Sequence, residues 1–464
     1  MLVALQPYST TIVLDRLATA FSAAGHRIYL VGGSVRDELL DRPLKDLDFT
    51  TDAHPDETRI ILALTKPITI HDVGARFGTI AAIFEIDDQT VPVEITTFRS
   101  ETYDPGSRKP KVDFGTSLEA DLARRDFTIN AIARDLYTRR LIDPFDGQGD
   151  LGLKLVRAVG SAIERFTEDP LRLLRAVRLS VELDFMIDHP TLTAMSRSSD
   201  QLASISRERI AEELNRILLS PEPGRGFRML AELGLLRKAL PELIPLRETA
   251  SERRFKNVFE HTLRVVEGTP SDQVIRWSAL LHDIGKPRTL SFEDGQVRFI
   301  GHELVGENMS RKILTNLHFD RETTERVARL VGLHMRANQY ADDWTDGAVR
   351  RLMREVGDDL DRLLNLSSAD VTSYRAEKVA AAHARVDALR ERARQIAERE
   401  DIAALRSPLD GNELMELFDR PPGPWIKPIK DYLLDLVLDG ELGTDDRERA
   451  TDLAQAFLSE KSLA

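Results

Sequence analysis

Two patterns of apolar spacing divide the chain. Over the first 150 residues the apolar positions fall in short runs, several of them alternating. Residues 26–31 predict a short strand, Gly32-Gly33 a turn, residues 35–40 the start of a helix, and residues 47–50 another strand. The runs 78–86 and 91–97, parted by Asp87-Asp88-Gln89-Thr90, predict a hairpin. Residues 99–117, rich in Gly, Pro, Ser and Lys, predict a flexible loop. Beyond about residue 150 the apolar positions recur every three or four, as in PLRLLRAVRLSVEL, RIAEELNRILLS and GFRMLAELGLL, which predicts helices. Pro221, Pro223, Gly224 and Pro241 punctuate them. The stretch 255–374 predicts more helices, now carrying histidines, and AEKVAAAHARVDALRERARQIAERE predicts one long exposed helix. No internal repeat is present. The pattern therefore predicts a multidomain α+β protein, with a mixed-sheet head over 1–150 and all-helical regions over 151–250, 251–375 and 376–464.

The length of 464 residues suits about three domains. The absence of cysteine excludes disulfides, thiolate zinc sites and a cysteine nucleophile. The opening MLVALQPYST lacks the charged start and apolar core of a signal peptide, and no apolar run is long enough for a bilayer, so a cytoplasmic protein without a membrane partner is expected. A net charge of −13 weighs against nucleic-acid binding when taken as a sum. Placement changes that picture. Basic residues gather at 99–111, at Arg124-Arg125 and at 165–178, whereas acidic residues crowd the C-terminal part, so a basic cleft on an acidic molecule is compatible with the total.

The segment YLVGGSVRDELLDRPLKDLDFTTDA carries the most chemistry. Asp46 and Asp48 are two apart, so on a strand both carboxylates share one face while Leu47 and Phe49 face the core. Two close carboxylates repel unless a cation offsets them, and Mg²⁺ is the hard ion suited to oxygen ligands. Gly32 and Gly33 let a ligand approach the backbone just before a helix N-terminus, which favours phosphate, and Arg36 adds a cation. Each feature alone is commonplace: a GG before a helix is most often a turn, and DxD is frequent in surface loops. Their order and closeness point to a nucleoside triphosphate with metal ions.

GGSVRD followed by KDLDF resembles the opening motif of class II tRNA nucleotidyltransferases and bacterial poly(A) polymerases, in the polymerase β superfamily. RRDFTINAIA resembles the second block of that family and EDPLRLLRAVR its nucleotide-reading block; the resemblance covers at least 26–240. It implies a polymerase β-like head, a helical neck, and attack of an RNA 3′-hydroxyl on the α-phosphate of CTP or ATP with Mg²⁺ bound. Asp46 and Asp48 would be the metal ligands, with Glu94 on a neighbouring strand as the candidate third carboxylate. Gly32, Gly33, Arg36 and Asp37 would hold triphosphate and ribose, and Arg125, Asp126 and Asn130 would contact the nucleotide. For Asp126 and Asn130 the plain alternatives are a structural ion pair and a helix cap.

Asp169 and Arg172 are three apart and are expected to share a helix face. A carboxylate accepts hydrogen bonds and a guanidinium donates them, so the pair suits the amino group and ring nitrogen of cytosine and adenine and rejects uracil and guanine. An exposed ion pair would be the default reading on any other helix. Arg175 and Arg178 are expected to support the neck or bind phosphate.

Downstream, His261, then His282-Asp283 in LLHDIGKP, then Asp370 follow the order of the HD superfamily of metal-dependent phosphohydrolases, which this region resembles. His302 and His334 fall between and are candidates for a second site holding a divalent metal. The remaining histidines are read as structural.

The functional expectation is CCA addition to tRNA from CTP and ATP. The basic residues Arg108, Lys109 and Lys111, and Ser34 where the poly(A) group often has a third glycine, favour this over poly(A) synthesis or partial addition. Two readings of other classes remain: an HD-type hydrolase with a degenerate head, and a non-catalytic RNA-binding protein.

Overall fold

The computed structural model describes residues 5–462, except 45, 75–77, 103–110, 115–116, 249–256, 294–295, 342, 372–375, 400 and 403. The described chain forms two compact units, Met1–Pro241 and Glu242–Ala464.

The first unit opens with helix α1 (Pro7–Ala23), strand β1 (Ile28–Val31), helix α2 (Gly33–Leu39), β2 (Leu47–Thr51) and α3 (Pro55–Leu64). Strands β3 (Thr69–Gly74), β4 (Thr79–Ile86) and β5 (Gln89–Thr97) follow, then the short pair β6 (Arg99–Thr102) and β7 (Lys111–Phe114). After α4 (Leu118–Ala123), a 3₁₀ turn over Thr128–Asn130 leads to β8 (Ala133–Asp135) and β9 (Leu141–Ile142). The seven-stranded sheet has the order β3-β4-β5-β2-β1-β8-β9. Only β2 and β5 pair in parallel, so the sheet is mixed, as expected.

Alternation decides which side each residue serves. In β2, Leu47 and Phe49 are buried, while Asp48 lies on the opposite side of the strand. That second side continues into an apolar cluster containing Tyr29, Val31, Phe98 and Leu122. The β4–β5 hairpin turns more tightly than the sequence predicted: Asp87 and Asp88 alone form the bend, both left-handed (φ 47° and 62°), the geometry that matches the twist of the flanking strands. Asp tolerates this conformation better than most residues.

The unit continues through α5 (Gly147–Gly152), β10 (Leu155–Val156), α6 (Ala162–Glu168), α7 (Arg172–Leu183), β11 (Met186–Ile187), α8 (His189–Ser198), α9 (Arg207–Leu218), α10 (Pro223–Glu232) and α11 (Leu236–Ala239). Helix α7 is buried on nearly every side, which is why its apolar spacing is so dense.

In the second unit α12 (Ile244–Glu248), α13 (Val258–Glu267), α14 (Gln273–Leu281) and α15 (Lys286–Thr289) lead to a hairpin, β12 (Leu290–Glu293) and β13 (Gln296–Phe299). Helices α16 (His302–Asn316), α17 (Arg321–Asn338), α18 (Asp346–Val356), α19 (Leu360–Ala369), α20 (Ala376–Arg399), α21 (Gly411–Phe418), α22 (Ile426–Asp439) and α23 (Arg447–Ser462) complete it. Side-chain caps start several of these helices: Asn257 accepts from Glu260 N, Asp272 from Ile275 N and Asp320 from Thr323 N. Trp277, fully buried, meets Phe319 edge-on at 5.2 Å.

Four expectations are corrected. Residues 99–117 are not wholly loop, since β6 and β7 pair within them; Arg108 and Lys109 lie outside the described residues. The hairpin 290–299 interrupts the region predicted as helical; SFEDGQVRF carries an Asp-Gly signal between alternating positions. Helix α20 is one long helix but not exposed all round, because Ala382, Val386, Leu389, Ala393 and Ile396 form a buried seam at four- and three-residue steps. The fourth concerns Asp169 and is taken up with the site.

Candidate active site

Gly32 turns the chain from β1 into α2 with φ +70° and ψ −136°. The left-handed dihedral requires glycine there, and its bare Cα lets the Arg125 guanidinium lie close over the turn, 2.8 Å from where a Cβ would stand. Ser34 then ties the turn to β2: its hydroxyl donates to the Asp46 carbonyl (3.3 Å) and accepts from the Asp48 N–H (3.1 Å). Asp46 lies one residue before β2 and is exposed; Asp48 is within the strand and in register with Glu94 of β5. Burial first, then the nearby Asp46 and Glu94 charges, raise the Asp48 carboxyl to about 6 against the opposing pull of Arg125. This uncompensated negative charge fits a divalent cation.

Beside it, Arg36 donates to Asp37 Oδ1 (2.9 Å) and to Asn130 Oδ1 (2.8 Å). Asn130 donates to Asp126 Oδ1 (3.0 Å), and Arg175 donates to Asp126 Oδ2 (3.1 Å). Burial alone would raise the Asp126 carboxyl, but the Arg175 charge and the Asn130 hydrogen bond hold it at about 2. Arg178 pairs with Glu213 of α9 at 2.9 Å, and Arg175 reaches the same carboxylate at 3.6 Å. Asp126, Arg175 and Arg178 thus join the turn at 126–130 to the helices that follow it.

Asp169 is not on the helix that carries Arg172. It ends α6 with extended backbone (φ −141°, ψ 98°), because Pro170 excludes the residue before it from helical conformation. Its Oδ1 accepts from Leu171 N (3.2 Å) and its Oδ2 from Arg209 (2.8 Å). Arg172, buried at the start of α7, donates to Glu168 Oε2 (2.8 Å) and to the carbonyls of Arg165 (3.2 Å) and Arg124 (2.9 Å). Asp169 and Arg172 nonetheless border one cavity of about 920 Å³, together with Gly32, Asp46, Asp48, Arg125 and Asn130. Arg42 and Arg216 also border it. No motif marks those two, nor Arg209; their place depends on helices far apart in sequence.

The second unit gathers His261 of α13, His282 and Asp283 after α14, His302 at the start of α16, His334 of α17 and Asp370 after α19. His261 Nε2 lies 3.2 Å from His282 Nε2, 3.3 Å from Asp283 Oδ2 and 3.0 Å from Asp370 Oδ1. On the other side of Asp283, His302 Nε2 lies 3.5 Å from Oδ1 and 3.3 Å from His334 Nε2. His282, His302 and His334 each donate from Nδ1 to a main-chain carbonyl, of Ala279 (2.8 Å), Phe299 (2.8 Å) and Val331 (2.6 Å). In a neutral ring so anchored, Nε2 is an acceptor. The Nε2 atoms of His302 and His334 thus face one another at 3.3 Å, an arrangement that fits a cation between them. Two donor groups result, His261-His282-Asp283 and Asp283-His302-His334, with Asp283 common to both. Among the described residues these are the groups whose donor atoms all lie within 4.8 Å of one another; the head carboxylates are set more widely. Burial would lower the His282 ring, but Asp283 and Asp370 hold it at about 10, and burial with the His282 charge lowers His334 to about 4.

Gly285 makes this packing possible. A Cβ there would come within 2.2 Å of the His302 carbonyl oxygen, so the HDIG turn approaches α16 as only glycine allows. His26 pairs with Asp52 at 3.2 Å, apart from either cluster.

Fold and site together define a polymerase β-like nucleotidyltransferase head followed by an HD domain. Residues 28–157 match the Poly A polymerase head domain, 184–246 the probable RNA and SrmB-binding site of polymerase A, and 257–405 the HD domain. The chain belongs to the family of class II tRNA nucleotidyltransferases and bacterial poly(A) polymerases. Curated relatives include the CCA-adding enzymes of Streptococcus gordonii, 41% identical over 239 residues (51% of this chain, 56% of that one), and of Lactococcus lactis subsp. cremoris, 45% identical over 212 residues (46% and 51%). The chain spans about half the length of the curated relatives it matches. Among solved structures it is similar to the Bacillus stearothermophilus CCA-adding enzyme in complex with CTP, with TM-score 0.71 and 26% identity over 99% of this chain and 100% of that one. A tRNA nucleotidyltransferase complexed with a primer tRNA and an incoming ATP analog shares the fold at TM-score 0.56 and 22% identity, over 81% and 98%. No described helix is long and apolar enough to cross a membrane.

Proposed function

We propose that the protein adds CCA to the 3′ end of tRNA from CTP and ATP without a nucleic-acid template. The observation that carries this reading is the single cavity bordered at once by the glycine turn, the Asp46–Asp48 pair, and Asp169 with Arg172. Mg²⁺ held by Asp46, Asp48 and Glu94 would supply acidification of the attacking hydroxyl and charge stabilisation on the leaving pyrophosphate. The side chains have positioning roles. Arg125, close over Gly32, and Arg36, steadied by Asp37 and Asn130, neutralise the triphosphate. Asp169 accepts from the exocyclic amino group of cytosine or adenine, and Arg172 donates to the neighbouring ring nitrogen. Uracil and guanine reverse both donors and acceptors and are rejected. Residues 151–250 act as neck, 251–375 as HD domain and 376–464 as tail.

The relatives named as CCA-adding enzymes favour CCA addition over poly(A) synthesis or partial addition. A tRNA transcript lacking its last three nucleotides, incubated with Mg²⁺ and each triphosphate singly and together, tests the proposal. Three added residues that require both CTP and ATP, and are lost in an Asp46→Ala, Asp48→Ala variant, are expected. A long ladder with ATP alone would identify a poly(A) polymerase. The facing Nε2 atoms favour a second reading alongside the first: the HD centre holds two divalent ions and hydrolyses phosphoesters.

A further inference from the structure

We propose that Arg209 sets the base selectivity of the head by fixing the carboxylate of Asp169; this rests on the nucleotidyltransferase reading above. Asp169 is held at three points. Pro170 keeps its backbone extended, Leu171 N donates to Oδ1 at 3.2 Å, and Arg209 donates to Oδ2 at 2.8 Å from α9, forty residues away. The Arg172 guanidinium is held separately, by Glu168 and two main-chain carbonyls; Arg172 N donates to the Asp169 carbonyl (3.0 Å), but no hydrogen bond or ion pair joins the guanidinium to the Asp169 carboxylate among the described residues. The acceptor and the donor that would read the base thus stand apart instead of neutralising each other.

Without Arg209 the carboxylate keeps one main-chain hydrogen bond and gains freedom to rotate toward the guanidinium three residues on. A rotating carboxylate serves an amino donor less well and opposes a carbonyl less strongly, so selectivity falls from both directions. Arg209 is therefore a positioning residue. Its side chain is half exposed, with 47% of its surface accessible against 23% for Asp169, so the pair adds little to stability and the effect belongs to orientation.

The test measures kcat and KM for CTP, ATP, UTP and GTP on a tRNA lacking CCA, with wild type, Arg209→Ala, Arg209→Lys, Asp169→Ala and the Asp169→Ala, Arg209→Ala double variant. Equilibrium binding of CTP and UTP is measured in parallel, since it needs no turnover. Arg209→Ala is expected to lower the CTP-over-UTP ratio of kcat/KM by about tenfold, chiefly through KM, with a melting temperature close to wild type. Arg209→Lys should restore part of the ratio, and in an Asp169→Ala background the Arg209 change should add nothing. Equal losses for all four nucleotides, or an unchanged ratio, would overturn the inference while leaving the activity intact. Should wild type extend no RNA, the activity reading fails, and binding decides this one: it stands only if CTP is preferred to UTP and Arg209→Ala removes the preference.

Discussion

At the scale of single residues, the head concentrates its chemistry where charges are least comfortable. Asp48 sits at about 6 because burial and two neighbouring carboxylates disfavour its ionised form. Its folded value exceeds the unfolded one, so its contribution to stability is fully present below about pH 4 and is lost as pH rises through 6. A divalent ion must displace that proton. Mn²⁺ affinity of the head, followed by paramagnetic resonance in wild type against the Asp46→Ala, Asp48→Ala variant, should weaken about tenfold per pH unit below 6; a flat profile would contradict the assignment. Asp126 shows the opposite sign, held at about 2 mainly because Arg175 outweighs its burial. Its stabilisation is present above about pH 4 and is lost as pH falls through 2. Asp126→Asn should cost about 3 kcal/mol in denaturant unfolding, the lower end for breaking a buried pair, because Arg175 keeps Glu213.

At the scale of elements, the sites are set by how chain segments begin and end. The DxD pair straddles the start of β2, Asp169 is the last residue before the proline that opens the next segment, and His282 and Asp370 each cap the end of a helix. Helix ends leave unpaired carbonyls and free side chains to project, which suits them to ligand sites. Gly285 tests the importance of such packing. Gly285→Ala forces a Cβ toward the His302 carbonyl, and overpacking of this kind costs about 1–3 kcal/mol. If the HD centre holds two ions, as proposed, displacement of His302 should reduce the zinc or manganese bound per chain, read by elemental analysis, to one or fewer; retention of the wild-type content would show that α16 shifts without consequence for the metal.

At the scale of the whole molecule, two compact units carry separate centres, and each can be perturbed alone. Exhaustive chelation should lower the calorimetric transition of the unit beginning at Glu242, by the linkage that ties ligand binding to stability, and re-addition of metal should restore it. Because Asp283 and Asp370 hold His282 protonated near neutral pH, metal binding there should also release protons. Titration calorimetry in buffers of different ionisation enthalpy would detect this; the absence of any buffer dependence would contradict it. The net charge of −13 is misleading at this scale, since arginines, among them Arg125, Arg172, Arg175 and Arg216, outnumber the carboxylates that border the head cavity.

Much of this was legible in the order of residues. Alternation placed Leu47 and Phe49 in the core, with Asp48 on the other side, because the strand period is two wherever the strand lies. Spacing of three and four marked the helices that bury their apolar stripes, and the H…HD…D order predicted the residues that α13, α14 and α19 bring together. Pro170 also carried the information that Asp169 must leave the helix, although i,i+3 counting across it pointed elsewhere. What only the tertiary structure decided are pairings between distant helices: Arg209 on Asp169, Arg178 on Glu213, and His302 facing His334 through a common Asp283. Periodicity states which face of a helix is buried, but not which other helix will cover it. That choice is made by packing the whole chain at once, and it converts separate motifs into two sites.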